Sequence, residues 1–490
     1  MSLDSQAVSP ADNLPAPEDH DARNRLVIGL LLVSTFVVIL NETIMGVALP
    51  HLMADLKISA NRAQWLTTAF MLTMAVIIPV TGYLLQRLNT RPVFILAMSL
   101  FSGGTLISAL APGFAMLVIG RIVQASGTAI MMPLLMTTIM HLVPPQSRGK
   151  TMGNISIVIS VAPAIGPTIS GLILSALDWR WLFLLVLPIA LAALALGAWK
   201  ISNITEPKKA PIDVLSIPLS ALGFGCFVYG LSGLGEAAVH TPIVSPWFPL
   251  IVGAAVIAIF ILRQLQLQRH DQALLDMRTL TIKAFTIPAM MMAILMMSMF
   301  GVFILLPIYL QNVLGLTTLE TGLLLLPGGL IMGLCAPTVG SLFDKYGPVP
   351  LVVPGAILFS LLMWSLTFIQ PGTSFWWMLI AHVILSIGLA LMFTPLFTAS
   401  LGALPSTLYS HGSAMIGTTQ QVAGAAGTAL FVAVMTMTGS NAMSDGVTVA
   451  AATTAGIRTA FFCGAIISIA AVIMAFFVKK PAGGDHDLSH

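Results

Sequence analysis

Stretches of about twenty consecutive apolar residues recur along this chain, as in Leu26 to Leu49, Pro92 to Ala111 and Thr459 to Val478. About twenty residues of helix span the ~30 Å hydrocarbon core of a bilayer. Hydrocarbon offers the backbone no hydrogen-bond partners, so repeated spans of this length must be helices that satisfy their own peptide groups. Composition removes the alternatives: hydrophobic residues are 57% of the 490 and charged residues only 8%. A soluble domain carries about 25% charged residues, and no water-exposed surface can be built from so few. The chain is therefore read as an all-α membrane protein. Its fourteen spans are placed near 26–49, 64–85, 92–111, 114–142, 151–177, 181–199, 214–234, 247–262, 285–310, 321–343, 350–368, 375–399, 413–438 and 459–478.

The formal charge of +3 is too small to suggest a nucleic-acid partner, and the placement of the charges says more. Of the 21 Lys and Arg, only Lys57, Arg62, Arg180 and Arg458 fall on one side of the spans, and only Arg121 falls inside one. The rest lie on the other side, which the positive-inside rule makes cytoplasmic. An even number of spans puts both tails there. Residues 1–25 are rich in Asp and Pro and lack the apolar middle of a signal peptide; they are expected to be a disordered cytoplasmic tail, and 479–490 a second tail. Cys226, Cys335 and Cys463 lie in apolar runs with no Cys or His at ligand spacing, so neither a disulfide framework nor a metal site is expected.

The chain also repeats itself. Leu49-Pro50 recurs as Leu306-Pro307, an offset of 257. Pro79-x-x-Gly82 recurs as Pro337-x-x-Gly340 and Pro92 as Pro350, both at 258. Pro133 matches Pro395 and Pro144 matches Pro405, at 262 and 261. An ordered series with a slowly drifting offset predicts two copies of one six-helix bundle in the same orientation, residues 26–199 and 284–478. Residues 200–283 then carry an inserted helix pair. Parallel halves are a transporter architecture, with the substrate site between them near the midplane.

Among the 18 acidic residues, Glu42 alone falls well inside a span, and Arg121 is its only basic counterpart. Intramembrane charges are costly, which makes them functional candidates. Each lies seven residues from the outer end of its span, about 10 Å deep, and this equal depth makes pairing feasible. Two readings stand: Glu42 binds and releases a proton as its surroundings open and close, or Glu42 and Arg121 form a permanent pair that joins two helices. His382, opposite Arg121 in the repeat, is read as a proton relay or as a hydrogen-bonded core histidine. Pro163, Gly166 and Pro167 disturb their helix and allow close approach, as a gate or as a static kink. Gln124, Gln420 and Gln421 line a cavity or bond helix to helix. Met290, Met291, Met292, Met296, Met297 and Met299 suit a pocket for varied apolar ligands, but they point all round their helix, so most must face lipid or core.

Several motifs carry a resemblance. They include Leu40-Asn41-Glu42-Thr43-Ile44 leading to Val47-Ala48-Leu49-Pro50, Gly120-Arg121 with Gln124 and Gly127, and Ala162-Pro163-Ala164-Ile165-Gly166-Pro167 with Gly171. Gly82 with Arg87 and Arg91, and Gly340 with Asp344, Lys345 and Gly347, form a pair of loop motifs. Trp179-Arg180-Trp181-x-Phe183 and the stretch from His411-Gly412 to Gln420-Gln421-Val422-Ala423-Gly424 complete the set. After residue 25 the chain resembles the major facilitator superfamily, and within it the fourteen-helix drug:proton antiporters of the lincomycin-resistance type.

The resemblance implies two six-helix bundles plus two inserted helices, and proton-coupled efflux of small amphipathic drugs by alternating access across a bacterial inner membrane. No cofactor is expected, with protons as the coupling ion; the expected partners are small amphipathic substrates and the lipid bilayer, with no nucleic acid, and the expected state is a monomer. The intramembrane charges and polar residues put proton coupling on Glu42, Arg121 and His382, and the cavity on Asn41, Gln124, Gln420 and Gln421. The resemblance assigns gating to Pro163, Gly166, Pro167 and Gly171, and the cytoplasmic loop motif to Gly82, Arg87, Arg91, Gly340, Asp344 and Lys345. Two departures stand out. Gln86 occupies the place of the first loop motif's acid, and Asn41 that of the first helix's usual Asp, with the acid moved one residue on to Glu42. A dedicated exporter of one metabolite, peptide or lipid fits the same fold. A membrane enzyme would need a cluster of acids, histidines or a nucleophile at one face, or a Walker-type loop, and the short connections carry neither.

Overall fold

The computed structural model describes residues 17–58, 60–203, 213–237, 245–444 and 446–480. The ends of the expected tails, 1–16 and 481–490, and the loop bearing Lys208 and Lys209 lie outside the described residues. The described chain forms α1 (Pro17–Asp55), α2 (Ala60–Arg87), α3 (Thr90–Ala109), α4 (Phe114–Leu142), α5 (Arg148–Ala176), α6 (Trp181–Lys200) and α7 (Ser216–Ala237). There follow α8 (Trp247–Leu267), α9 (Lys283–Asn312), α10 (Thr318–Tyr346), α11 (Val349–Leu366), α12 (Phe375–Gly402), α13 (Tyr409–Ser444) and α14 (Val449–Ala475). Among the described residues fourteen helices are long and apolar enough to cross a membrane.

Two boundaries correct the sequence reading. α1 begins at Pro17, so residues 17–25 are helix rather than disordered tail; proline lacks the N–H that a first helical residue leaves unused, and its φ is already helical. α14 begins at Val449, ten residues before the expected span, and Thr448 caps it by accepting from Ala451 N. Arg458 is therefore a helical residue rather than a loop residue, and its Nε donates to Thr367 O at the end of α11 at 2.8 Å. The alanines of 449–458 favour helix, but with Thr453, Thr454 and Arg458 the segment is too weakly apolar to read as membrane span. Elsewhere local chemistry sets the ends: a Thr317–Glu320 capping box opens α10, and Gly347, at φ 81°, closes it.

The packing of α1–α6 recurs in α9–α14. α1 packs on α4, α5 and α6, as α9 does on α12, α13 and α14; α3 packs on α4 and α6, as α11 does on α12 and α14. Two seams join the halves, α5 along α10 and α2 along α13. The inserted α7 packs against both α2 and α13 and pairs with α8. Arg263 Nε and Nη2 clamp Asp213 at 2.7 and 2.6 Å, tying the start of α7 to the end of α8. Those hydrogen bonds hold the Asp213 carboxyl down to about 2.

The two faces of the bundle are fixed by contacts at the helix ends. Trp179 Nε1 donates to Asp55 Oδ2 at 2.7 Å, which puts the end of α1 beside the start of α6. The start of α1 is therefore at the opposite face. That face also carries the α2–α3, α4–α5, α10–α11 and α12–α13 connections, and Lys480 packs beside Gly347 there. This is the basic face, the one that the charge pattern puts in the cytoplasm.

Candidate functional site

The halves touch at the basic face and part toward the other. Small residues let α5 and α10 meet backbone to backbone: a Cβ at Gly340 would collide with the Gly149 carbonyl, and one at Gly153 with the Ala336 carbonyl. The close approach runs up to Gly329 beneath Ala164, where a Cβ would meet the methyl at 2.5 Å. Beyond it, Gly322 and Gly171 meet nothing within 4 Å. Ser156 and Thr394 share a hydrogen bond of 2.7 Å between α5 and α12, and Ser413 Oγ donates to Pro133 O at 3.3 Å between α13 and α4. Residues 409–416 of α13 are buried without a break, whereas most of 417–428 are half-buried. This is a bundle sealed at the basic face and open between its halves at the other.

The loop motifs sit on the seal. Asp344 accepts from Gly149 N at 2.7 Å and Lys150 N at 2.8 Å, the second and third residues of α5. That is N-capping performed across the two halves. Lys345 is exposed beside the Tyr346 ring. In the other copy Gly82 packs against His411, and Gln86 Nε2 donates to Thr407 O at 2.9 Å. Arg87 Nη1 donates to Tyr83 at 2.6 Å, and Arg91 is exposed, its N–H donating to Asn203.

Arg121 is buried between α4, α1 and α2, at 1% exposure. Its Nη1 donates to Gln124 Oε1 at 2.6 Å and, more weakly, to Asn41 Oδ1 at 3.4 Å. A guanidinium has only donors, so Gln124 must turn its oxygen to Arg121; its nitrogen then donates to Thr105 Oγ1 at 2.8 Å. The guanidinium stacks 4.0 Å over the Phe70 ring, a cation–π contact. Among the described residues its buried Nε has no hydrogen-bond partner. The permanent Glu42–Arg121 pair, one of the two readings of the sequence, is not made: among the described residues Glu42, half-buried, has no ion pair or hydrogen bond, though it stays within electrostatic reach of Arg121. One residue of helix is a ~100° turn, so Asn41 faces α4 while Glu42 faces elsewhere. Thr43, a further step round, lies against Gly166 of α5, where a Cβ would collide with its hydroxyl. Pro163 is half-buried one turn away, Pro167 continues the same helix, and Gly171 is exposed at the open end.

His382 occupies the matching place in the second half. Arg121 lies over Phe70 of α2, and His382 over Gly328 of α10, where a Cβ would be 2.5 Å from the ring. Its Nε2 is 3.2 Å from Leu325 O and must donate, since a carbonyl only accepts. Nδ1 is then the bare acceptor, and among the described residues it is buried without a hydrogen-bond partner.

The glutamines of α13 are not part of the Arg121 cluster. Gln421 lines a small separate cavity with Met71, Val228, Ser232 and Phe300, between α2, α7, α9 and α13. Gln420 is half-buried, with a buried Nε2 that has no hydrogen-bond partner among the described residues. The α9 methionines point in several directions: Met291 and Met292 are fully buried, and Met290 is exposed. Sequence reasoning missed Phe70 and Thr105. Phe70 had a signal, the same offset of 258 that links it to Gly328; Thr105 had none.

A family model described as Major Facilitator Superfamily matches residues 31–428. The lincomycin resistance protein LmrB of Listeria monocytogenes is 41% identical over 462 residues, 93% of this chain and 96% of that one. LmrB of Bacillus subtilis is 40% identical over 92% of this chain and 95% of that one. Among solved structures, the proton:xylose symporter XylE superposes with a TM-score of 0.65 at 17% identity, covering 95% of this chain and 98% of the other.

Proposed function

The chain belongs to the major facilitator superfamily of membrane transporters, and on that premise we propose that it exports small amphipathic drugs across the bacterial inner membrane in exchange for protons. The name of its LmrB relatives supports the substrate class. The observation that carries the coupling is the polar cluster of the first half. Arg121 is held by Gln124 and Asn41 and not by Glu42, so the Glu42 carboxyl beside it remains free to gain and lose a proton. A carboxylate neutralised by a tight ion pair would be a poor proton carrier.

In the state described, the halves part toward the face opposite the basic one, which the positive-inside rule makes external. A proton taken by Glu42 from that side favours release of substrate there. Closing that side and opening the basic face returns the proton to the cytoplasm and reloads the site. Each charge moved down the membrane potential supplies about 2.3 kcal/mol per 100 mV. His382, with its bare Nδ1, is the second proton acceptor on this route, and Pro163, Gly166, Pro167 and Gly171 lie where α5 leaves α10.

The test is transport in proteoliposomes with an imposed pH gradient, using a panel of dyes and antibiotics that includes lincomycin. Glu42→Gln is expected to keep the protein folded and able to bind substrate while abolishing uphill transport. Full pH-driven transport by Glu42→Gln at normal expression refutes the assignment and moves the coupling to His382.

A further inference from the structure

The two copies of the loop motif are not locked alike. In the second copy a carboxylate, Asp344, takes two N–H groups at the start of α5. In the first copy the equivalent residue is Gln86, and it makes one neutral, exposed hydrogen bond to Thr407 O. An ionised acceptor makes hydrogen bonds about twice as strong as a neutral one, and it complements the positive end of a helix. The first copy lacks both advantages, yet residues 409–416 of α13 are buried without a break beside α2.

What the first copy has instead is the segment joining α8 to α9, residues 268–282. It is an ordered strap beneath the basic face. Leu274 and Leu275 are each 1% exposed. Gln264, buried at the end of α8, accepts from Leu274 N at 2.7 Å and Leu275 N at 3.3 Å. Asp276 is buried, accepts from Arg278 N at 2.9 Å, and binds Arg278 through Nε and Nη2 at 2.6–3.0 Å. Arg278 also reaches Asp271 at 2.6 Å. This brace presents Asp276 N to His411 Nδ1 at 3.4 Å. His411 stands 261 residues after Lys150, at the third residue of α13, the place that Asp344 caps in the other copy. Its ring lies against Gly82, where a Cβ would meet Nδ1 at 3.1 Å. His411 is thus held between the loop motif of α2 and the strap.

We propose that the strap is the lock of the first copy. It holds α13 to α2 at the basic face in place of the acid missing at Gln86, and it releases when that face opens. This assigns the inserted helix pair a role, since α8 carries Gln264 and the strap together. The proposal rests on the alternating-access reading above, and its test separates the two.

In full-length protein with Cys226, Cys335 and Cys463 replaced by Ala, a Ser413→Cys reporter, at a site 5% exposed, reads opening by its rate of reaction with an impermeant maleimide applied to the basic face. Asp276→Ala removes the brace, and Gln264→Leu removes the acceptor for Leu274 and Leu275. Each is expected to raise that rate roughly fivefold, the factor by which loss of one net hydrogen bond moves a two-state equilibrium. Adding Gln86→Asp to Asp276→Ala is expected to restore the slow rate, because a carboxylate would then stand where Asp344 stands in the other copy. A merely misfolded variant would not be restored this way. A rate unchanged in both strap variants, or raised and not reversed by Gln86→Asp, overturns the proposal. Asp344→Ala, run alongside, shows whether the basic face opens at all, and so identifies a failure of the transport cycle itself.

Discussion

Gln124 should matter to this protein through Arg121 and little otherwise. Replacing it by Leu keeps the volume but removes the 2.6 Å acceptor of the guanidinium, whose Nε is already without a partner. A hydrogen bond to a charged group contributes about 1.5–3 kcal/mol. Asn41, at 3.4 Å, is too distant to replace it. Thr105 loses a donor but keeps its own bond to Phe101 O at 2.7 Å, so its share is small. The expected cost of Gln124→Leu is therefore about 2 kcal/mol, nearly all of it through Arg121. In an Arg121→Met background the same substitution removes a polar group from beside an apolar one, and its cost should fall below about 0.5 kcal/mol. The assay is thermal unfolding of the purified protein in detergent for the four members of the cycle. Equal melting shifts from Gln124→Leu in both backgrounds would refute the reasoning, because Gln124 would then be serving helix packing and not the buried charge.

Gly340→Leu should prevent the basic face from closing, since even a Cβ there collides with the Gly149 carbonyl; overpacking of this kind costs about 1–3 kcal/mol, and faster thiol labelling of a Ser156→Cys reporter from that face checks it. The pairing of Asp213 with Arg263 stabilises the α7–α8 unit above the carboxyl's ordinary value of 3.8 and is lost as pH falls through about 2. Thermal stability measured down this range should therefore decline by about 2 kcal/mol more in the parent than in Asp213→Asn. Single cysteines placed within 1–16 and within 481–490 should react with impermeant reagents from the same side of sealed vesicles, the side that also exposes Lys345.

The helices themselves were legible because membrane spans are written in long apolar runs, and the proline series exposed the repeat. What was lost is physically specific. The first turns of α14 hold Thr453, Thr454 and Arg458, which make them too polar for a hydropathy reading although their alanines favour helix. Equal depth made Glu42 and Arg121 look like partners, but depth along an axis says nothing of direction around it, and Asn41 took the place expected of Glu42. The partners of Asp344 are backbone N–H groups, which have no residue signature. The stretch 268–282 has no signal of its own within the insert 200–283, because the two buried leucines that anchor it are too few to register as a pattern.

The contact of α5 with α10 has a mechanical consequence. Side chains that interlock must be withdrawn and repacked when two helices separate, and each change of rotamer resists the motion along the whole contact. Gly149, Gly153, Gly333 and Gly340 leave little to interlock. The two backbones can part as smooth surfaces, with friction low and spread evenly. Resistance is then concentrated at the ends, in the two N–H groups held by Asp344, so the speed with which this seam opens is set by a catch of a few atoms and not by the length of the helices it joins.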